Sequence, residues 1–216
     1  RLAVARKTGA DAVRVIAGDL GSLSDVESGV VIDLLLSYRA VSAWQDMISL
    51  VERMAPPLKE TVLVREQLGF ALNRLKRRDE AEAVLTKLIA ERGPSSETLG
   101  IPGRGYKDRC DEARQAKDEI LAEGYLQNAI DTYLAGFEAD WRDAYPGINA
   151  VTLMEIQNPP DERREQILPV VRYAVERKIA KGKPDYWDYA TLIELGVLAN
   201  DEKAARKILP KALACI

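Results

Sequence analysis

Histidine is absent from all 216 residues, and this absence restricts the chemistry that the chain can perform. Ser-His-Asp and Cys-His catalysis both need an imidazole, and histidine is a common metal ligand. Any enzyme built from this sequence would depend on carboxylates, lysine, tyrosine or a metal held only by oxygen. No arrangement of those groups in the sequence suggests an active site. We therefore predict a protein that is not an enzyme, with no catalytic residue, cofactor or metal.

Cysteine is nearly absent too, since only Cys110 and Cys215 occur, without a CxxC spacing. Two isolated thiols are typical of structural cysteines in a reducing cytosol. The alternative is a redox-sensing pair or one reactive thiol, because Lys107 and Arg109 are near Cys110 in sequence and would lower a thiol pKa. The first interpretation is the more common one, and it favours a cytoplasmic protein.

Long apolar runs and an excess of one charge are also missing. The longest apolar stretch, residues 30–36, is interrupted by Asp33 and falls short of the roughly 20 residues that span a bilayer. The net charge is −3 and no basic face stands out, which argues against nucleic acid as a partner. No signal peptide is recognisable, so no membrane association is expected. Because the chain begins with Arg1, we expect it to be a segment of a longer protein.

The strongest pattern present is a helical hairpin at residues 62–94. Its two predicted helices each carry one stripe of apolar or small residues, Leu68, Gly69 and Leu72 in the first and Ala81, Leu85 and Leu88 in the second. A charged turn at residues 76–79 separates them, and Asp79 with Glu82 predicts a capping box for the second helix. Large and small residues alternating at a tight crossing are typical of a tetratricopeptide hairpin.

Further hairpins follow the same pattern along the chain. A match of Leu34 to Leu72 and of Ala43 to Ala81 gives a spacing of 38 residues, longer than the usual ~34. Ser24 with Glu27 predicts a capping box, and Gly124 predicts an interruption between two helices. We predict an all-α, irregular tetratricopeptide-like solenoid of about ten helices, forming one domain over residues 1–216. Its hairpins are expected at residues 25–55, 62–94, 97–141, 146–181 and 185–214.

Side chains of the first helix in the 62–94 hairpin predict a partner-binding groove formed by Leu63, Glu66, Phe70, Asn73 and Arg74. Peptide-carboxylate clamps of this fold class use lysine and asparagine, so Glu66 argues against capture of a free C-terminal carboxylate. Phe70 with Asn73 and Arg74 could still hold a peptide or a helix. The alternative, that neighbouring helices cover this surface, stays open.

Two other stretches suggest chemistry and have simpler explanations. Residues 100–107 resemble a phosphate-binding loop, yet Tyr106 interrupts the motif, Asp108 replaces its hydroxyl residue and no strand precedes it. A close-approach role for Gly103 beside Tyr106 is the better interpretation. The carboxylates of residues 138–143, including Asp140 and Asp143, could form a catalytic pair. A solvated helix end is far more common.

Three separated motifs carry a family resemblance: Gly103, Arg104, Tyr106, Lys107 and Asp108; Gly147, Ile148 and Asn149; and Tyr186 and Trp187 with residues 197–201, which include Asn200 and Asp201. In this order they resemble the TRAF-binding, tetratricopeptide-containing central region of the apoptosis signal-regulating kinases, which are MAP kinase kinase kinases, and its bacterial homologues. The resemblance covers residues 25–213, and the composition, rich in Ala, Arg, Asp and Gly, is similar to the bacterial branch. The motif residues are expected to be mainly structural.

The resemblance implies a non-catalytic, all-helical regulatory scaffold that binds a protein partner, either another region of its own chain or a separate protein, and controls a fused effector. In the kinases that partner is a TRAF adaptor. An alternative is a small-molecule sensor or carboxylate-based enzyme, with a deep pocket between helix pairs. That pocket would be lined by several of Glu66, Arg104, Lys107, Asp108, Asp140 and Asp143. Self-association through the end repeats is a third alternative.

Overall fold

Helices form nearly the whole chain in the computed structural model, which describes residues 1–182 and 184–215. Within those ranges there are thirteen α-helices and no β-strand. In chain order they are α1 (Leu2–Thr8), α2 (Ala10–Asp19), α3 (Ser28–Ala40), α4 (Trp44–Arg53), α5 (Pro56–Lys59), α6 (Val62–Arg74), α7 (Arg78–Arg92), α8 (Ser96–Gln115), α9 (Glu119–Ala139), α10 (Ala144–Glu155), α11 (Arg163–Ala180), α12 (Tyr186–Leu198) and α13 (Glu202–Leu213). The prediction of an all-α fold is confirmed.

The chain divides into two compact units, the first of residues 1–93 and the second beginning at residue 94. The expected single helical-repeat domain over residues 1–216 remains a prediction. No helix in the described part of the chain is both long and apolar enough to cross a membrane.

The first unit is organised around the pair of helices α6 and α7. Gly69 on α6 faces Leu85 on α7, where a Cβ atom would lie only 2.8 Å from the Leu85 Cγ atom. Ala81, Leu85 and Leu88 are each 1% exposed, so the predicted stripe is buried. A glycine at this position lets the two helix backbones approach closely, as the sequence pattern predicted.

Both capping boxes predicted for this unit are wrong. Helix α7 begins two residues earlier than expected, with Arg77 as its N-cap, so Asp79 lies inside the first turn and cannot cap it. Arg77 instead forms two hydrogen bonds of 2.7 Å to Glu80. Ser24 belongs to a short 3₁₀ helix, Leu23–Asp25, which moves the start of α3 to Ser28.

The second unit contains three consecutive helix pairs, α8 with α9, α10 with α11, and α12 with α13. Helix α8 continues through Pro102 as far as Gln115, and the predicted interruption at Gly124 is wrong. The turn lies earlier because Lys117 has a positive φ of 61° and the Asp118 side chain caps α9 by accepting from the Leu121 backbone N–H. Gly124 is an exposed position inside α9.

Candidate interaction cleft

A cleft of about 870 Å³ crosses the second unit, along the first helices of its three pairs. Helix α8 contributes residues 104 and 107, α10 contributes residues 144, 145, 148 and 149, and α12 contributes residues 187, 188, 190, 191 and 194. Residues 140, 142 and 143 between α9 and α10, together with Lys178 at the end of α11, complete the lining. Three first helices of successive pairs therefore share one concave surface.

On the α8 side, the cleft presents a lysine held by a neutral group. The Lys107 Nζ atom lies 3.5 Å from Oδ1 of Asn149, and Nδ2 of Asn149 donates a 2.9 Å hydrogen bond to the Tyr145 carbonyl oxygen. That second bond fixes the amide so that its oxygen faces the ammonium group. Among the described residues, Lys107 forms no ion pair, whereas Arg104 pairs with Asp108 at 2.9 Å.

The carboxylates of the cleft all have partners. Asp140 accepts hydrogen bonds from Arg142 Nε at 2.7 Å and from Nη2 at 2.9 Å, and these bonds hold the pKa of the Asp140 carboxyl below its usual range. Asp188, whose side chain is 5% exposed, pairs with Lys178 at 2.6 Å. The Glu194 carboxylate accepts from the Thr152 hydroxyl, and the Asp143 carboxylate caps α10 by accepting from the Tyr145 backbone N–H. The carboxylates of this cleft are therefore engaged in structural contacts.

The Asp188 carboxylate also completes a capping box with Asp185 at the start of α12. Its hydrogen bond with Lys178 raises the pKa of that ammonium group. A nearly buried carboxylate thus holds the end of α11 against the first turn of α12, with both helices contributing to the cleft.

Two aromatic side chains stand on the cleft surface. Tyr145 is half-exposed and packs edge-on against the buried Tyr133, with ring centroids 6.1 Å apart. Trp187 is 73% exposed and packs edge-on against Tyr186 at 5.2 Å. Exposed aromatic rings that are fixed by a neighbouring ring are common anchors at protein interfaces.

The structure brings the three sequence motifs together in this unit. Five motif residues line the cleft: Arg104, Lys107, Ile148, Asn149 and Trp187. Of the other motif residues, Gly103 and Gly147 lie at contacts between helices, Tyr106 and Asp108 lie on α8, and Asn200 and Asp201 lie in the turn before α13. A separation into surface and packing positions within each motif was not foreseen from the sequence.

The packing positions have identifiable partners. A Cβ atom at Gly147 would lie 2.6 Å from Cγ2 of Val171, and one at Gly103 would lie 3.0 Å from the Tyr133 ring. Asn200 has a positive φ of 54° between α12 and α13, and Asp201 caps α13 by accepting from a backbone N–H. The mainly structural role expected of the motif residues stays a prediction.

The groove predicted on α6 is a different surface, in the first unit. Phe70 contacts the Trp44 ring at a centroid distance of 5.5 Å, and the Arg39 guanidinium carbon lies 4.4 Å from the centre of the Phe70 ring. Glu66 is buried, Asn73 is half-buried, and Leu63 and Arg74 are exposed. Partner binding at these five positions stays a prediction. The Phe70 ring already contacts Trp44 and Arg39 of the same unit.

The groups named for a deep polar pocket are only partly together. Arg104, Lys107, Asp140 and Asp143 line the cleft, whereas Glu66 is buried in the first unit. The described residues contain no cluster of three side chains suited to hold a metal ion. The idea of a reactive Cys110 is wrong, because the thiol is 2% exposed and burial raises its pKa.

Sequence reasoning missed Lys178, Asp188, Thr191 and Glu194 on the cleft. For α12 a signal was present, since Trp187, Thr191 and Glu194 recur at the spacing of one helix face. Lys178 had no such signal, because only the packing of α11 against α12 brings it to Asp188.

Comparison with known proteins places the chain in a family. The model of the MAP3K TRAFs-binding domain matches residues 4–214. Mitogen-activated protein kinase kinase kinase nsy-1 of Caenorhabditis elegans is 31% identical over 82% of this chain and 13% of its own length. Mitogen-activated protein kinase kinase kinase 15 of Mus musculus is 26% identical over 84% of this chain and 14% of its own length. The chain thus spans about one seventh of these relatives, and it belongs to the MAP3K TRAFs-binding domain family.

Proposed function

We propose that this chain is a non-catalytic protein-interaction region that regulates an effector in the same polypeptide. The observation that carries the proposal is the family match over residues 4–214, which includes nearly every residue of both units. The curated relatives are named as kinases, and the chain corresponds to a small part of each. A kinase domain is accordingly the proposed effector, and a TRAF-class adaptor is the proposed partner.

The geometry of the second unit supports this role. Its helix pairs present side chains from α8, α10 and α12 on one surface, which is the arrangement that tetratricopeptide-like repeats use to bind a partner in a groove. The exposed Trp187 ring supplies the kind of anchor that dominates protein interfaces. We therefore place the partner on the cleft, and not on the α6 groove of the first unit.

The proposal is tested by measuring binding of the purified chain to a purified TRAF-domain protein by isothermal titration calorimetry. We expect a dissociation constant in the micromolar range for a regulatory contact of this kind, which corresponds to a binding free energy of about −8 kcal/mol. If heat of binding is absent at concentrations of about 100 μM, and the kinase activity of a full-length relative is unchanged when this region is deleted, the proposed function is wrong.

The cellular setting is part of the same proposal. Two unpaired cysteines are compatible with a reducing compartment, so we place the protein in the cytoplasm. The bacterial origin suggested by composition remains a prediction, since both curated relatives reported above are animal proteins. Self-association is separable from partner binding by light scattering on the isolated chain.

A further inference from the structure

We infer that the Tyr133 hydroxyl and the Arg104 guanidinium form a hydrogen-bonding subsite beneath the Tyr145 ring, and that this subsite takes a neutral carbonyl oxygen of the partner chain. The assignment to a protein partner rests on the proposed function, because Arg104 and Tyr145 line the same cleft. The starting observation is a hydroxyl that the fold buries and that forms no hydrogen bond within the described part of the chain.

The Tyr133 hydroxyl does not stabilise the packing around it. Tyr133 on α9 is 0% exposed, and its hydroxyl has no hydrogen-bond partner among the described residues. A buried hydroxyl without a partner makes a fold less stable than a phenylalanine of the same shape would. The ring alone fills the space beside Gly103, where a Cβ atom would lie 3.0 Å from the ring Cγ and Cδ1 atoms. The hydroxyl therefore serves a state of the protein in which it is paired.

The groups around this hydroxyl belong to the cleft. The half-exposed Tyr145 ring packs edge-on against Tyr133, with ring centroids 6.1 Å apart. Burial raises the pKa of the Tyr133 hydroxyl, the Tyr145 phenol raises it further, and the Arg104 guanidinium lowers it. Tyr145 is thus a close neighbour, although the Tyr133 hydroxyl is not in hydrogen-bond geometry with it. Because Arg104 and Tyr145 line the cleft, the hydroxyl lies directly behind the part of the wall that they form.

Arg104 supplies donors that are not in use. Its Nε atom donates a 2.9 Å hydrogen bond to Oδ1 of Asp108, and its two terminal nitrogens form none with the described residues. A guanidinium only donates and a phenol hydroxyl can donate, so the complementary group is a hydrogen-bond acceptor. The Asp108 carboxylate offsets the charge of Arg104 and also raises the pKa of the Tyr133 hydroxyl, so it opposes a second anion at this place. A neutral carbonyl oxygen fits these donors better than a carboxylate.

Tyr145 is the part of the subsite that moves. Its side chain is half-exposed, and exposed side chains change rotamer rapidly. On the α8 side its ring is in ordinary van der Waals contact, since a Cβ atom at Gly100 would lie 3.5 Å from the Tyr145 Cε1 atom. Rotation of this ring towards solvent opens the Tyr133 hydroxyl to the cleft, and a partner that inserts a peptide carbonyl there completes the missing hydrogen bond.

The test follows tyrosine signals in a chain labelled with ¹³C at the ring Cζ atoms, where the Tyr133 signal is the one that Tyr133→Phe removes. The probe is N-acetylalanine methylamide, a neutral peptide group, and N-acetylalaninate is its anionic counterpart. The amide should shift the Tyr133 signal saturably in the wild-type chain. It should bind roughly threefold more tightly, or better, to Tyr145→Ala, because the open state then needs no ring movement.

Two variants remove the donors, and backbone amide signals of residues 144–149 report their affinity for the same probe. Tyr133→Phe should weaken binding roughly threefold or more, the effect of one lost hydrogen bond. Arg104→Lys should also weaken it, because lysine keeps the charge and lacks the planar set of N–H donors. Tyr173→Phe is the matched control, since Tyr173 is an exposed tyrosine on α11 outside the cleft lining.

Each of the following results would overturn the inference: a Tyr133 signal that the amide leaves unmoved in both the wild-type chain and Tyr145→Ala, equal affinity of Tyr133→Phe and wild type, or tighter binding of N-acetylalaninate than of the amide. A lower midpoint of thermal unfolding for Tyr133→Phe would also overturn it, because the hydroxyl would then have a partner inside the folded protein. Thermal unfolding of Tyr145→Ala and Arg104→Lys verifies that both variants fold, and Tyr133→Phe tests the inference without them.

The same variants separate this inference from the proposed function. If a TRAF-domain protein binds the wild-type chain and Tyr133→Phe equally well, the inference is wrong and the proposed function stands. If the amide binds through Tyr133 as described and no TRAF-domain protein binds, the subsite stands and the proposed partner is wrong.

Discussion

Replacing Gly147 with alanine should destabilise the second unit, although glycine-to-alanine changes usually stabilise helices. Gly147 lies in the first turns of α10, where a Cβ atom would approach Val171 Cγ2 to 2.6 Å and Phe137 Cδ2 to 2.8 Å. Both contacts are far shorter than ordinary van der Waals distance, and both neighbouring side chains are buried. Relief requires α10 to move away from α9 and α11.

The magnitude follows from two opposing terms. Alanine is better than glycine by about 0.8–1 kcal/mol in a helix interior. Overpacking a dense core costs about 1–3 kcal/mol, and here the clash involves two side chains at once. We expect a net loss of about 1–2 kcal/mol in the free energy of unfolding, which lowers Tm by several degrees.

The matched control is Gly124→Ala. Gly124 is exposed within α9, and a Cβ atom there would have no heavy atom of a neighbouring residue within 4 Å. This variant should be more stable by about 0.5–1 kcal/mol. Urea titrations followed by circular dichroism at 222 nm measure both changes. If Gly147→Ala raised the free energy of unfolding as Gly124→Ala is expected to, the conclusion that α10 packs closely against α9 and α11 would be wrong.

Other substitutions test individual contacts. Asp188→Asn should lower the free energy of unfolding by about 1–3 kcal/mol in urea titrations, because it breaks a nearly buried ion pair; an unchanged value would contradict the pairing. The pKa of Lys178 is raised in the folded protein, so its ion pair stabilises fully below the unfolded pKa of about 10.4 and less as the pH rises through the folded pKa. The difference in unfolding free energy between wild type and Lys178→Gln should therefore shrink from about pH 9 to about pH 11.5. A constant difference would refute this reasoning. Tyr133→Phe should keep or raise the free energy of unfolding, because the buried Tyr133 hydroxyl has no hydrogen-bond partner among the described residues. A decrease of more than about 1 kcal/mol, measured by thermal unfolding, would show that the hydroxyl has a partner. Phe70→Ala should cost the first unit about 2 kcal/mol by removing the contacts with Trp44 and Arg39, which chemical unfolding would detect; no loss would mean that Phe70 is free for a partner.

The sequence predicts the helical fold well wherever one apolar stripe decides the packing. Leu85 and Leu88 recur on a single helix face, and that face is buried as expected. The ends of the helices are predicted less well, because a cap depends on where the first turn begins. Asp79 is not the N-cap because α7 starts earlier, at Arg78. Lys117 has a positive φ that the neighbouring residues in the sequence do not predict.

The candidate cleft was recoverable only in part. Arg104, Lys107, Asn149 and Trp187 were singled out as motif residues, yet their convergence needs the packing of α8, α10 and α12. The spacing of residues along one helix identifies which of them share a face. It does not identify the neighbouring helix that packs against that face. Lys178 illustrates the limit, because its role depends on Asp188, a residue ten positions away on another helix.

The central claim, that a protein partner binds across α8, α10 and α12, is tested most directly by comparing two tryptophan variants. The dissociation constant of the complex with a TRAF-domain protein should rise roughly tenfold for Trp187→Ala and stay unchanged for Trp141→Ala. Both rings are more than half exposed, and only Trp187 lines the cleft. Equal affinities for the two variants would contradict the claim.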